Sequence, residues 1–249
     1  LVRVADARAA LGRLAAAWRQ RFRLPVVGIT GSNGKTTVKE MLGAVLGRTG
    51  PGLVTRGNLN NDLGVPLTLA RLDDTHRFAV LEMGANHGGE IAALCRIGQP
   101  TVGVVTQCAP AHLEGFGSIE GVARAKGEMF SGLAGDGVAI INADDAYAPL
   151  WHRLAGSRGR LTFGLEQPAD VSADWAPGPW GSRIELRTPA GRQTVELPLP
   201  GRHNVMNALA VAAAVLALEV PLETLAAGLA AAPSVAGRLR QCPGPGGAL

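Results

Sequence analysis

Four short apolar runs punctuate the chain: Val26-Val27-Gly28-Ile29-Thr30, Phe78-Ala79-Val80-Leu81-Glu82-Met83-Gly84, Thr101-Val102-Gly103-Val104-Val105-Thr106 and Val138-Ala139-Ile140-Ile141-Asn142. They are continuous rather than alternating, as in strands covered on both faces. Helical stretches separate them: 6–20 with Asp6 as N-cap, 34–47, 65–71, one that starts at 87–91, 118–130 with Ser118 as cap, and 144–155 capped by Asp144 and Asp145. A short strand is expected at 53–55, after the turn at 50–52. This alternation predicts a three-layer α/β fold around a mostly parallel sheet. The pattern then changes. Pro-Gly turns and alternating runs at Arg183-Ile184-Glu185-Leu186 and Thr194-Val195-Glu196-Leu197 predict a small antiparallel sheet within 161–200. A long Ala-rich helix opens at 200–207, a last helix covers 221–231, and 243–247 reads as a linker.

The first strand runs into Gly31-Ser32-Asn33-Gly34-Lys35-Thr36-Thr37 and then into a helix. A strand, a Gly-rich turn and a helix N-terminus together make an anion site, because backbone N–H groups and the helix dipole both favour phosphate. Lys35 is placed to reach the outer phosphates and the Thr36 hydroxyl to hold Mg²⁺. The usual phosphate-loop spacing puts a glycine where this chain has Ile29; its glycines stand at 28, 31 and 34, a shorter variant.

Composition narrows the candidates. Of 24 basic residues only three are lysines, Lys35, Lys39 and Lys126. Arginine replaces a surface lysine easily but not an amine needed for its compactness or its chemistry, so Lys126 becomes a candidate. The formal charge of +4 owes much to arginines in the opening segment and has no interleaved aromatics, which argues against nucleic-acid binding. Cys95, Cys108 and Cys242 lack metal-ligand spacing and read as reduced cytosolic thiols. No apolar run is long enough to span a bilayer.

Further candidates lie beyond strand ends, where ligands of open α/β sheets bind. Glu82 closes its strand in the position of an Mg²⁺ ligand. His112 stands beyond the 101–106 strand at the same mouth, a candidate for metal or substrate. Asn58, Asn60 and Asn61 either cap the following helix or offer an uncharged polar surface to a sugar or phosphate. Asn204 and Asn207, three apart, share one helix face and could offer amides to a purine edge.

Taken together, the 30–37 loop, the Glu82 strand, His112, Lys126 and the Asn204/Asn207 helix resemble the Mur ligase superfamily, ATP-dependent amide-forming enzymes of peptidoglycan precursor synthesis. The stretches 57–66, 82–87, 111–117 and 125–130 are similar to the branch that joins D-Ala-D-Ala to UDP-MurNAc-tripeptide through an acyl phosphate. The resemblance implies ATP held by Gly31, Ser32, Asn33, Gly34, Lys35, Thr36 and Thr37, with Thr36 and Glu82 on Mg²⁺. It places His112 at a second metal or the substrate carboxylate, and makes Lys126 a carbamylated metal ligand. Asn204 and Asn207 would contact adenine, Arg238 would stand at a domain junction, and Asn58, Asn60, Asn61 and His112 would meet substrate. It also implies a monomer in the bacterial cytoplasm. Residues 1–24 are expected to be the tail of a UDP-sugar-binding domain, 25–233 the ATP-binding domain and 234–249 the start of a third. The alternatives are a folylpolyglutamate or cyanophycin type of ligase, or a nucleotide-binding fragment without catalysis.

Overall fold

A computed structural model describes residues 3–111 and 113–233. Six strands form one parallel sheet in the order β2-β3-β1-β4-β5-β6: β1 Val26–Thr30, β2 Gly52–Val54, β3 Phe78–Glu82, β4 Val102–Val105, β5 Val138–Asn142 and β6 Gly159–Phe163. From β1 the chain crosses to the edge strand β2, comes back to β3 between them, and then passes to the other side of β1 to add β4, β5 and β6 in turn. The direction reverses between β1 and β4, which opens a crevice beyond their carboxyl ends.

Within each apolar run the side chains still alternate between two cores. Val27, Ile29, Val80, Val104 and Ile140 face the helices α2 Lys35–Leu46, α8 Arg202–Ala217 and α9 Leu222–Ala230. Val26, Ala79, Leu81, Val105 and Ile141 face α1 Ala7–Arg19, α4 Glu90–Gly98, α6 Ile119–Ser131 and α7 Ala148–Ala155. The short helices α3 Gly64–Leu69 and α5 Leu113–Phe116 complete this second layer. A three-stranded antiparallel sheet, β7 Ser172–Pro177, β8 Ser182–Thr188 and β9 Gly191–Leu197, packs on α8 and α9. Beyond Asn207, α8 is covered on all sides and is Ala- and Val-rich with no polar stripe. The three-layer α/β expectation holds.

Caps appear where the residue types predict them. Asp6 Oδ1 accepts the amides of Arg8 and Ala9 at 2.8 and 3.1 Å, and Ser118 Oγ accepts that of Gly121 at 3.0 Å. Helix α1 lies on α3 and α4, and buried Arg19 donates to the carbonyls of Phe22 and Leu24 at 2.6 and 3.1 Å, fixing the turn into β1.

Two expectations are corrected. Residues 159–163 extend the main sheet, parallel to β5, instead of joining the antiparallel one. As an edge strand, β6 is half-solvated, so Arg160-Leu161-Thr162-Phe163 reads like an alternating antiparallel segment. Asp144 and Asp145 do not cap a helix over 144–155; the helix starts at Ala148, with Pro149 in its first turn fixing the start.

Helix α6, which carries Lys126, is locked to α7 by Trp151. This wholly buried indole donates to the Ala123 carbonyl at 3.0 Å and meets Phe130 edge-on at 6.3 Å. Trp151→Ala is expected to lower unfolding stability by about 3–5 kcal/mol. Urea denaturation measures it as a lowered midpoint with an unchanged slope.

Candidate functional site

The loop after β1 is braced by the segment after β4. Ser32 N donates to the Gln107 carbonyl at 2.9 Å, Ser32 Oγ pairs with both N and O of Ala109 at 3.0 Å, and Thr106 Oγ1 donates to the Asn33 carbonyl at 2.5 Å. Two glycines make this approach possible. A Cβ on Gly31 (φ 141°) would stand 1.9 Å from Thr106 Oγ1, and one on Gly34 (φ 85°) 2.5 Å from Asn207 Oδ1. Gly34 caps α2, so the helix presents its first amides without a side-chain cap. Lys35 Nζ folds back over the loop, donating to the carbonyls of Gly31 at 2.6 Å and Ser32 at 3.3 Å. Asn33 is exposed, Thr36 half-buried and Thr37 buried behind them.

At the end of β3, Glu82 is 3% exposed. Its backbone N–H donates to Thr55 Oγ1 at 3.1 Å, and its Oε1 accepts Asn60 Nδ2 at 2.9 Å. Oε2 has no hydrogen-bond partner among the described residues; Lys39 Nζ, 1% exposed, stands 3.9 Å away. A buried carboxylate oxygen without a donor fits a cation ligand. Among the described residues no three His, Cys, Asp or Glu cluster as a metal set. His112 and Arg238 lie outside the described residues.

The two readings of the Asn-rich loop divide by residue. Asn61 Oδ1 accepts the amides of Leu63 and Gly64 at 3.2 and 2.8 Å, a turn and helix-start role. Asn60 clamps Glu82 and also accepts Gly84 N–H on its carbonyl at 2.8 Å. Asn58 is exposed. Asn60 and Asn61 line a cavity of about 560 Å³ with Gly31, Ser32, Lys35 and Lys126.

Lys126 is 3% exposed on α6. Burial and then the nearby charge of Lys35 push its amine down to about 8, and its ammonium faces the Phe116 ring at 5.4 Å. Two residues on, Glu128 accepts the amides of Gly89 and Ala92 at 2.6 and 3.0 Å, tying α6 to the start of α4.

On the other side of the loop a larger cavity, about 1040 Å³, is bounded by Asn33, Gly34, Asn142, Tyr147, Asn204 and Asn207 among others. Asn207 Nδ2 donates to Asn204 Oδ1 at 3.4 Å and Asn204 Nδ2 to the Pro200 carbonyl at 2.8 Å, so this pair also anchors the start of α8.

Sequence reasoning missed three polar residues here. Asn142 Nδ2 donates to the Thr106 carbonyl at 2.9 Å. Asp144 accepts the amides of Leu165, Glu166 and Gln167 at 2.8, 3.1 and 2.8 Å, and Asp145 those of Cys108 and Tyr147 at 2.6 and 2.9 Å. Their signal was a polar triplet closing an apolar run, at the end of a sheet where ligands bind. Cys108, also in this wall, is unpaired and pushed up to about 11 by burial and then by Asp145; Cys95, likewise unpaired, is pushed up to about 12 by burial. Cys242 lies outside the described residues. Among the described residues no helix is long and apolar enough to cross a membrane.

Comparison with known proteins agrees with this geometry. A family profile described as "Mur ligase middle domain" matches residues 29–215. The UDP-N-acetylmuramoyl-tripeptide–D-alanyl-D-alanine ligase of Escherichia coli (strain K12) is 48% identical over 241 residues, covering 95% of this chain and 53% of that protein. A crystal structure of MurF from Acinetobacter baumannii superposes with a TM-score of 0.92 at 44% identity, over 96% of this chain and 54% of that one. MurF ligase from Thermotoga maritima in complex with ADP superposes with a TM-score of 0.83 at 28% identity, over 96% of this chain and 56% of that one. The chain thus spans about half the length of the relatives it matches. With three-quarters of its length matched by the profile, the chain belongs to the Mur ligase family, of which it carries the middle domain.

Proposed function

We propose that this chain is the ATP-binding part of a ligase that joins D-Ala-D-Ala to UDP-MurNAc-tripeptide in the bacterial cytoplasm. One observation carries the reading: the phosphate loop is the wall between two cavities. Asn33 and Gly34 face the larger, while Gly31, Ser32 and Lys35 face the smaller, which also holds Lys126. A nucleotide lying in the larger cavity, its base near Asn204 and Asn207, presents its terminal phosphate through the loop to whatever fills the smaller one.

The chemistry follows from that arrangement. The tripeptide's terminal carboxylate attacks the γ-phosphorus, ADP leaves, and an acyl phosphate forms. The amine of D-Ala-D-Ala then attacks the acyl carbon, and phosphate leaves as the amide forms. The loop amides and Lys35 hold the phosphates in line, so positioning and charge neutralisation supply the rate. Mg²⁺, held by Glu82 Oε2 and the Thr36 hydroxyl, would offset charge on the phosphate oxygens. Asn60 keeps the Glu82 carboxylate turned to present that oxygen. Asn58, Asn60 and Asn61 border the acceptor side. A role for His112 at a second cation or the substrate carboxylate, and for Arg238 at a domain junction, belongs to the same proposal. So do a monomeric state, the absence of a nucleic-acid partner, and the assignment of 1–24 and 234–249 to flanking domains.

Lys126 fits a carbamate. Only a neutral amine adds CO₂, and this one is pushed down to about 8 by burial and then by Lys35. Its charged form dominates below that value, so modification should rise with pH between about 7 and 9. A ¹³C-bicarbonate NMR titration is expected to show a carbamate resonance that grows over this range and is missing in Lys126→Arg. A resonance that persists in the variant, or does not respond to pH, counts against the assignment.

Calorimetry with ATP and Mg²⁺ tests the central reading. This chain is expected to bind weakly, a version extended to the length of its relatives tightly, and Lys35→Ala in the extended chain at least about tenfold more weakly, the order of one charge-assisted contact. If neither length binds ATP, the phosphate-loop reading fails. D-Ala-D-Ala should stimulate phosphate release by the extended chain where glutamate does not, and should not do so with this chain alone.

A further inference from the structure

Lys39 is a charged residue that the reaction above does not use. It lies on the second turn of α2, is 1% exposed, and is one of only three lysines among 24 basic residues. Its ammonium stands 2.9 Å from Glu40 Oε1, 3.4 Å from the Gly57 carbonyl and 3.9 Å from Glu82 Oε2. Helix packing does not call for a charge there, since an apolar side chain fills a buried position at lower cost. The last distance matters most. At 3.9 Å the ammonium is an ion-pair neighbour of Oε2 but donates no hydrogen bond to it, so the oxygen keeps its lone pairs while lying in the field of a positive charge.

We propose that Lys39 is a fixed counter-charge that keeps Glu82 from capturing a divalent cation by itself and so makes cation binding depend on the nucleotide's phosphates. The inference rests on reading Glu82 as a cation ligand. Lys39, Glu40 and Glu82 together carry one net negative charge; without Lys39 they would carry two. A dication approaching Oε2 meets the ammonium across a few ångströms, and even with water-like screening that repulsion is worth on the order of tenfold in affinity. A triphosphate seated on the loop at Lys35 brings several negative charges to the same crevice and cancels the repulsion. Cation and nucleotide then enter as a pair. Lys39 also ties the Gly57 carbonyl, and with it the start of the Asn-rich loop, to the same charge cluster.

Mn²⁺ binding followed by electron paramagnetic resonance tests this on the present chain, with and without a non-hydrolysable ATP analogue. Lys39→Met is expected to bind Mn²⁺ about tenfold more tightly than wild type without nucleotide, with a smaller ratio when the analogue is present. Lys39→Arg should stay near wild type, and Glu82→Gln should lose the site. If Glu82→Gln loses Mn²⁺ but Lys39→Met binds no more tightly, the counter-charge role is wrong and the Glu82 reading survives. If Glu82→Gln binds Mn²⁺ as wild type does, both fall. Should Lys39→Met fail to fold by circular dichroism, Glu40→Gln decides instead. Loss of that half-exposed carboxylate leaves Lys39 uncompensated and should weaken Mn²⁺ binding about threefold, the order of one partly screened charge; unchanged binding overturns the proposal.

Discussion

The site depends on the contact between two loops that leave neighbouring strands at the point where the sheet reverses its winding. The anion site proposed beyond β1 needs a row of exposed backbone amides, a conformation with few hydrogen bonds of its own. The segment beyond β4 supplies them: Thr106 and Ala109 hold Asn33 and Ser32 from one side, and Asn142 in turn holds the Thr106 carbonyl. The loop is therefore shaped before any ligand arrives, which is the condition under which hydrogen-bond donors and a lysine stabilise developing charge without reorganising.

Around that brace the buried polar groups fall into pairs with separate tasks. Some are occupied by the protein: Asp144 and Asp145 accept amides of their own fold, Asp144 also lies 3.8 Å from Arg202, and Asn61 starts a helix. Others are left with capacity to spare. Glu82 keeps one oxygen without a donor, and burial with a neighbouring charge depresses the Lys126 amine. An unsatisfied carboxylate oxygen and a perturbed amine at the same end of the sheet are a physical mark of a functional site, independent of any relative.

Much of this was legible beforehand, for reasons that also explain the failures. Strands buried on both faces produce continuous apolar runs, so β1, β3, β4 and β5 stood out and located the ligand-binding edge. β6 did not, because an edge strand half in water carries Arg160 and Thr162 in an alternating pattern. Asp144 and Asp145 looked like helix caps since carboxylates before a helix usually are, yet their partners lie in loops that only tertiary folding brings near. Asn60 could not be resolved for the same reason: the group that decides its role is a carboxylate on another strand. The scarcity of lysine points to Lys126 but leaves Lys39 without a role, because the carboxylate that its side chain approaches lies on another strand.

The near-contact between Gly34 and Asn207 bears on how the protein comes into being. The loop that opens α2 is synthesised well before α8, which closes the larger cavity beside it. A growing polypeptide can assemble β1 through β5 and still have no wall for a nucleotide base until α8 has left the ribosome and docked. A nucleotide bound as proposed would therefore stabilise the completed domain but not its precursor, and the interval before α8 arrives is when the sheet face that it covers stands open to chaperones and proteases.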